Sequence, residues 1–180
     1  MSRAASTARV DLLGLILRPI SRVDRAALAG GFARLSATSR YRRFLTPKPR
    51  LSNAELAFLT DLDPTQHRAL GAFDRRDGQL IGVARYVRFA SDQGRADLAV
   101  TVIDDWQRRG IGRVLVGELI DVAERDGIAR LSGTTLVENA PARGLLRSLG
   151  FASTGVDGAT IDYALDLRGC GVLPPASVAA

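Results

Sequence analysis

The run Val102-Ile-Asp-Asp-Trp-Gln107-Arg-Arg-Gly110-Ile-Gly112-Arg113 constrains this chain more than any other stretch. An apolar segment, Ala96 to Ile103, leads into it. A periodic segment with Val114, Leu115, Leu119, Val122 and Ala123 on one face leads out, so the whole reads as strand, glycine-containing turn and helix. The first N–H groups of such a helix have no intrahelical acceptor and lie at the positive end of its dipole. Glycines let a ligand approach the main chain, and Arg108, Arg109 and Arg113 add positive charge, so the junction suits a diphosphate. A plain helix start gives the same local pattern. Two common nucleotide loops are excluded: a dinucleotide fingerprint needs Gly where Leu115 stands, and a phosphate loop needs a Gly-Lys-Ser/Thr that the turn lacks.

The rest of the chain arranges itself around this junction. A length of 180 residues with 46% hydrophobic side chains suits one core, and no repeat of solenoid length is present. Leu13 to Ile20 reads as a first strand, and Ser21 or Asp24 can cap a helix carrying Ala27, Leu28, Phe32 and Leu35. Ser39 to Arg50, with Thr46-Pro47 and Lys48-Pro49, reads as a basic loop, followed by a Ser52-Asn-Ala-Glu55 capping box that opens a short helix. Ala69 to Phe73 and Leu80 to Phe89 flank Asp74-Arg-Arg-Asp-Gly78 as an antiparallel hairpin, and Ala96 to Ile103 follows as a central strand. Gly127 closes the helix that begins at the glycine turn. Beyond it come a strand from Leu131 to Val137, a helix from Asn139 to Leu149 stopped by Gly150, and a last strand from Thr160 to Leu167. The order β-α-α-β-β-β-α-β-α-β(β) predicts an α/β mixed sheet with helices on both faces. The domain is expected over residues 13–167, with tails at 1–12 and 168–180.

Charge is distributed unevenly. Residues 1–50 carry 10 Arg and Lys48 against Asp11 and Asp24, a balance of +9, and the remaining 130 residues come to −3. The basic end suits an acidic partner, although 24 Arg to one Lys is also the bias of a GC-rich genome. The longest apolar run, Leu12 to Leu17, is far too short to span a bilayer, and no secretory signal is evident, so no membrane association is expected. A single cysteine, Cys170, and a single histidine, His67, allow neither an internal disulfide nor a Cys/His metal site, which suits a cytoplasmic protein without a metal.

Gln107-x-x-Gly110-x-Gly112 after a central strand resembles the pyrophosphate-binding motif of the GNAT acyl-CoA-dependent N-acetyltransferases. Asn139-Ala-Pro-Ala-Arg-Gly-Leu-Leu-Arg-Ser-Leu-Gly150-Phe151 resembles that superfamily's second signature. The resemblance covers roughly residues 13–167 and implies a splayed mixed sheet that takes the thioester arm of acetyl-CoA in its opening. Ser39-Arg40-Tyr41-Arg42-Arg43-Phe44, Leu51-Ser52-x-x-Glu55-Leu56, Leu59-Thr60-x-Leu-Asp63 and Asp104-Asp105-Trp106-Gln107 are similar to the GNAT domain of bacterial Pat-type protein lysine acetyltransferases. Those enzymes often carry a second, regulatory domain, for which a chain of this length has no room.

The resemblance implies a set of roles. The main chain at Val100 and Val102 would pair with the pantetheine arm. Gln107, Arg108, Arg109, Gly110, Ile111, Gly112 and Arg113 would hold the diphosphate, with Asn139 and Arg143 near the arm and the nucleotide end. Pat-like domains place a catalytic glutamate in an Ala-Glu-x-Ala stretch, and Ala96-Asp97-Leu98-Ala99 offers Asp97 there, one methylene shorter. Asp97 is the candidate base, acting through water, and an exposed structural carboxylate is the plainer alternative. Where many GNAT enzymes have a tyrosine acid this chain has Leu146, so no side-chain acid is named. Tyr41, Tyr86, His67 and Trp106 are read as structural, and Cys170 as no nucleophile.

The expected reaction is acetyl transfer from acetyl-CoA to a primary amine, a protein lysine first, by direct attack. Arg40, Arg42 and Arg43 would dock an acidic surface, and the chain is expected as a monomer or homodimer. A small-molecule amine acetyltransferase and a CoA-binding sensor with weak turnover are the alternatives. A nucleic-acid binder ranks last, since the basic end has few aromatics and no recognised motif, so no specific nucleic acid is expected.

Overall fold

The computed structural model describes residues 9–10 and 14–167. The tails expected at either end, including Cys170, otherwise lie outside the described residues. One mixed sheet runs through the molecule in the order β1-β2-β3-β4-β5-β6-β8-β7. The strands are β1 (Arg9–Val10), β2 (Leu15–Pro19), β3 (His67–Asp74), β4 (Leu80–Phe89), β5 (Asp92–Val102), β6 (Arg130–Leu136), β7 (Ala152–Asp157) and β8 (Thr160–Asp166). The helices are α1 (Arg25–Ala33), α2 (Ala37–Phe44), α3 (Asn53–Thr60), α4 (Ile111–Arg125) and α5 (Ala140–Ser148).

Every pairing is antiparallel except β5 with β6, which are joined by the crossover helix α4. Leu115, Val116, Leu119 and Ala123 of α4 pack with Ala72, Ala84, Tyr86, Ala96 and Leu98 in the main core. The opposite face carries α1 and α3, where Leu28, Leu56 and Leu59 close over Ala69, Phe73 and Leu80. The sheet is therefore buried on both faces through its middle, which is why β3 and β4 read as nearly continuous apolar runs.

The Ser52 capping box is present as expected. Ser52 Oγ accepts from Glu55 N at 3.2 Å, and the Glu55 carboxylate accepts from Ser52 N at 2.8 Å. One expectation is overturned. Ser39 to Arg50 is not a loop throughout, because its first half, Ser39 to Phe44, belongs to α2. Pro47 and Pro49 forbid helix only from the residue before them onwards, and Ser36 upstream caps the helix by accepting from Ser39 N at 3.1 Å. The helix ends at Leu45 in the left-handed region, φ 56°. Ala152–Asp157 carries no strand signal of its own in the sequence. This strand, β7, is exposed along its whole length and lacks the alternation that marks a half-buried strand. Strand β5 begins at Asp92, four residues before the apolar stretch that revealed it.

Candidate active site

Strands β5 and β6 pair only through Arg95, Ala96 and Asp97, set against Arg130, Leu131 and Ser132, and then separate. The register with β4 settles which groups face the resulting gap. Ile103 N donates to Ile81 O at 2.9 Å, so Ile103, Thr101, Ala99 and Asp97 direct their main-chain groups at β4. Leu98, Val100 and Val102 direct theirs the other way, into the gap. The residues proposed to pair with a pantetheine arm are thus the ones whose main chain faces the opening. The Val102 carbonyl is taken by Gln107 Nε2 at 2.9 Å.

At the mouth of the gap lies the glycine turn. Arg108 and Gly110 both have positive φ, 61° and 82°, and this reversal brings the chain round so that Gly110 caps α4 without a side-chain bond. The N–H groups of Ile111, Gly112 and Arg113 begin a 15-residue helix and face the groove, while Val114 N is the first to find a main-chain acceptor, Gly110 O. Gly112 has a packing reason for lacking a side chain: a Cβ there would stand 3.3 Å from Leu145 of α5.

A groove of about 410 Å³ joins these features. Val100, Val102, Gln107, Arg108, Gly110, Ile111, Gly112, Arg113 and Asn139 all line it, so nine of the residues singled out in the sequence meet in one place. Arg108 and Arg113 make no bond to other described residues and are exposed at its rim. Arg109 instead lies over the Trp106 ring at 5.0 Å. Arg143 is turned away, its guanidinium donating to Val137 O at 2.8 Å. Asn139 also has a local task, since its Oδ1 accepts from Ala142 N at 3.3 Å and caps α5.

Helix α2 is tied to the same turn. Asp104 accepts from Ser36 N at 2.9 Å, from Ser36 Oγ at 2.9 Å and from Ser39 Oγ at 2.8 Å. These bonds hold the Asp104 carboxyl below its ordinary range against the opposing effect of burial. The arginines of α2 do not form the outward-facing basic surface expected of them. Arg40 reaches back to Pro49 O at 2.7 Å and Ala33 O at 3.0 Å, Arg42 lines the groove, and Arg43 lines it too, within reach of the Asp97 charge. A helix, unlike the expected loop, sends these three neighbouring arginines in different directions.

Asp97 lies on the face of β5 turned toward α1 and α3, in register with Val87 of β4, which is itself opposite His67 of β3. Its carboxylate meets solvent, yet the surrounding protein raises its pKa through desolvation, the Asp162 charge adds to the rise, and Arg43 opposes it. One row further along, Arg85 pairs with Ala99 and is 4% exposed. Its Nη1 donates to Leu59 O at 3.2 Å and lies 3.0 Å from His67 Nε2. Sequence reasoning passed over Arg85. The signal was there: a single arginine between Val83 and Val87 in an apolar strand, at a position facing inward.

The same fold recurs in known proteins. Residues 35–151 match the acetyltransferase (GNAT) family. The chain belongs to the GNAT acetyltransferases. It is 35% identical over 139 residues to acetyltransferase PA5475 of Pseudomonas aeruginosa, an alignment that covers 76% of this chain and 74% of that one. Acetyltransferase Pat of Mycolicibacterium smegmatis is 33% identical over 134 residues, which are 74% of this chain but 40% of that protein. The GNAT domain of S. lividans PAT superposes with a TM-score of 0.80 at 26% identity, covering 84% of this chain and 90% of that one. As a GNAT family member the chain is an acetyl-CoA-dependent acyltransferase, which agrees with the fold and activity expected from the sequence. Among the described residues no helix is long and apolar enough to cross a membrane.

Proposed function

We propose that this GNAT enzyme transfers the acetyl group of acetyl-CoA to a primary amine, with a protein lysine as the leading acceptor and Asp97 as the base. The observation that carries the assignment is the gap between β5 and β6. An open main-chain edge at Val100 and Val102, a helix N-terminus at one end and a carboxylate with a raised pKa at the other lie along a single strand. Residues Gly110 to Arg113 supply N–H donors to the diphosphate, with Arg108 and Arg113 supplying charge at the rim. When bound, acetyl-CoA supplies an activated thioester.

The amine must lose a proton to attack, and Asp97 takes it through a water, consistent with its side chain being one methylene short of a glutamate. Nitrogen forms a bond to the acyl carbon, the carbon–sulfur bond breaks, and the departing thiolate is protonated by solvent. Leu146, buried at 6% exposure, cannot serve as the acid. Tyr86 cannot either, because its hydroxyl is committed to Asp126 at 2.5 Å on the α4 side of the sheet. The protein acceptor is favoured by the Pat-like motifs spread over α2, α3 and the turn.

Melting of the full chain with and without acetyl-CoA tests the donor site, since a ligand at 100 times its Kd adds about 2.7 kcal/mol to stability. The expected result is an upward shift that Gly110→Asp weakens, followed by acetylation of lysine peptides that Asp97→Asn abolishes. No shift at millimolar acetyl-CoA would remove the assignment.

A further inference from the structure

Beside the groove, under α1, α2 and α3, is a second recess with about 50 Å³ of open space. Its walls are apolar, with Phe32, Leu35, Phe44, Leu59 and Val83 among them, and two arginines, Arg43 and Arg85, reach into it. Arg43 and Thr101 line both the recess and the groove, so the two spaces share a wall beside Val100.

Neither guanidinium is held in an ion pair: among the described residues no carboxylate pairs with Arg43 or Arg85. Arg43 makes no hydrogen bond to the described protein, and its only ring contact is with Phe44 at 4.9 Å. Arg85 has only neutral partners, the Leu59 carbonyl and His67. His67 is itself kept neutral, since burial and then the Arg85 charge push its pKa down to about 4. Desolvation and the facing Arg43 push Arg85 down to about 9. Two cations converge in an apolar recess, and the one carboxylate whose charge acts on either of them, Asp97 on Arg43, forms no ion pair there, so the recess is electrostatically incomplete.

Resting on the acetyltransferase reading, we propose that this recess binds a carboxylate carried by one of the two reactants, held by Arg43 and Arg85. A planar carboxylate matches the fork of a guanidinium, and the open space suits a carboxylate with one or two methylenes and little more. The carboxylate comes either from the far end of an acyl group longer than acetyl or from an acceptor with an acid close to its amine. Both would enter past Arg43 and Thr101, and the two sources are separable by experiment.

Calorimetric titration of the full chain compares acetyl-CoA, butyryl-CoA and succinyl-CoA, the last two having the same number of acyl carbons. A second titration, with CoA bound, compares β-alanine with its amide. The expected result is binding about tenfold or more tighter for the carboxylate member of one pair, lost in both Arg85→Met and Arg43→Gln. Preference for succinyl-CoA assigns the carboxylate to the donor, and preference for β-alanine assigns it to the acceptor. If Arg85→Met does not fold, the half-buried Arg43→Gln carries the comparison. Equal binding within both pairs, or a preference that survives Arg43→Gln, overturns the proposal while leaving acetyl-CoA binding intact. Failure of wild-type protein to bind acetyl-CoA would instead overturn the reading on which it rests.

Discussion

His67 gives the protein a specific sensitivity to acid. Its ring is 5% exposed and its Nε2 lies 3.0 Å from Arg85 Nη1. An arginine can only donate, so Nε2 accepts and the imidazole is the neutral tautomer protonated at Nδ1. Its pKa is pushed down to about 4 from the 6.5 of an unhindered histidine. Between those values the unfolded chain takes up a proton that the folded protein refuses. Stability is therefore complete above the unfolded pKa and is lost as pH falls from 6.5 toward 4. At about pH 4.5 the loss comes to about 2.5 kcal/mol, or about 5–10 °C in melting temperature for a chain of this size. The assay is urea unfolding at about pH 7.5 and about pH 4.5 for wild type and His67→Gln, whose amide oxygen accepts from Arg85 without titrating. Carboxylates that begin to protonate at the lower pH are common to both proteins and cancel in the comparison. Wild type should lose about 2.5 kcal/mol more than the variant over this interval. Parallel losses would refute the argument, because they would mean that His67 is as free to protonate when folded as when unfolded.

Three further outcomes follow from the same geometry. Asp97→Asn should lower kcat by about 10²–10⁴-fold with little change in acetyl-CoA affinity, and the acid limb of wild-type kcat/KM should lie above the ordinary carboxylate range, read from a pH–rate profile. Gly110→Ala places a side chain at φ 82° and should cost about 1–2 kcal/mol in urea unfolding while weakening acetyl-CoA binding. Asp104→Ala removes the acceptor for Ser36 N, Ser36 Oγ and Ser39 Oγ, so α2 should loosen, lowering thermal stability by about 1–2 kcal/mol and speeding amide exchange in Ala37–Phe44.

The parts of the fold that were legible in the sequence are those where local chemistry and tertiary packing agree. The hairpin turn at Asp74 to Gly78, the capping box at Ser52 and the glycine turn before α4 each announce themselves through residues that do one thing well. Helix α2 was hidden because its length is polar and its prolines lie beyond its end, while its start depends on a carboxylate, Asp104, far away in sequence. Strand β7 was hidden because it packs nothing that would impose a period on it. In the site, the main-chain groups of Val100 and Val102 could be placed from the family motif. The directions of Arg40, Arg42 and Arg43 could not, since they depend on whether the backbone carrying them is a helix or a loop.

Strand β5 divides the candidate site between its main chain and its side chains. Its alternate residues serve two spaces at once: the main chain of Val100 and Val102 faces the gap, and the side chains of Asp97, Ala99 and Thr101 face the helices. Recognition by main-chain groups is indifferent to side-chain identity, so exchanging Val100 or Val102 for other strand-forming residues should leave the proposed donor site in place. Selectivity then has to arise on the other face, from the residues set against Asp97, Ala99 and Thr101. There the described protein places Arg43 and Arg85. An uncharged, solvent-facing acceptor would gain nothing from two inward arginines, and the fold would be relieved of a desolvation cost by apolar side chains of similar size in their place. Under the proposed carboxylate site, their presence beside Asp97, the proposed base, makes the charge of the reactant the property that selects it, which the succinyl-CoA and β-alanine titrations decide.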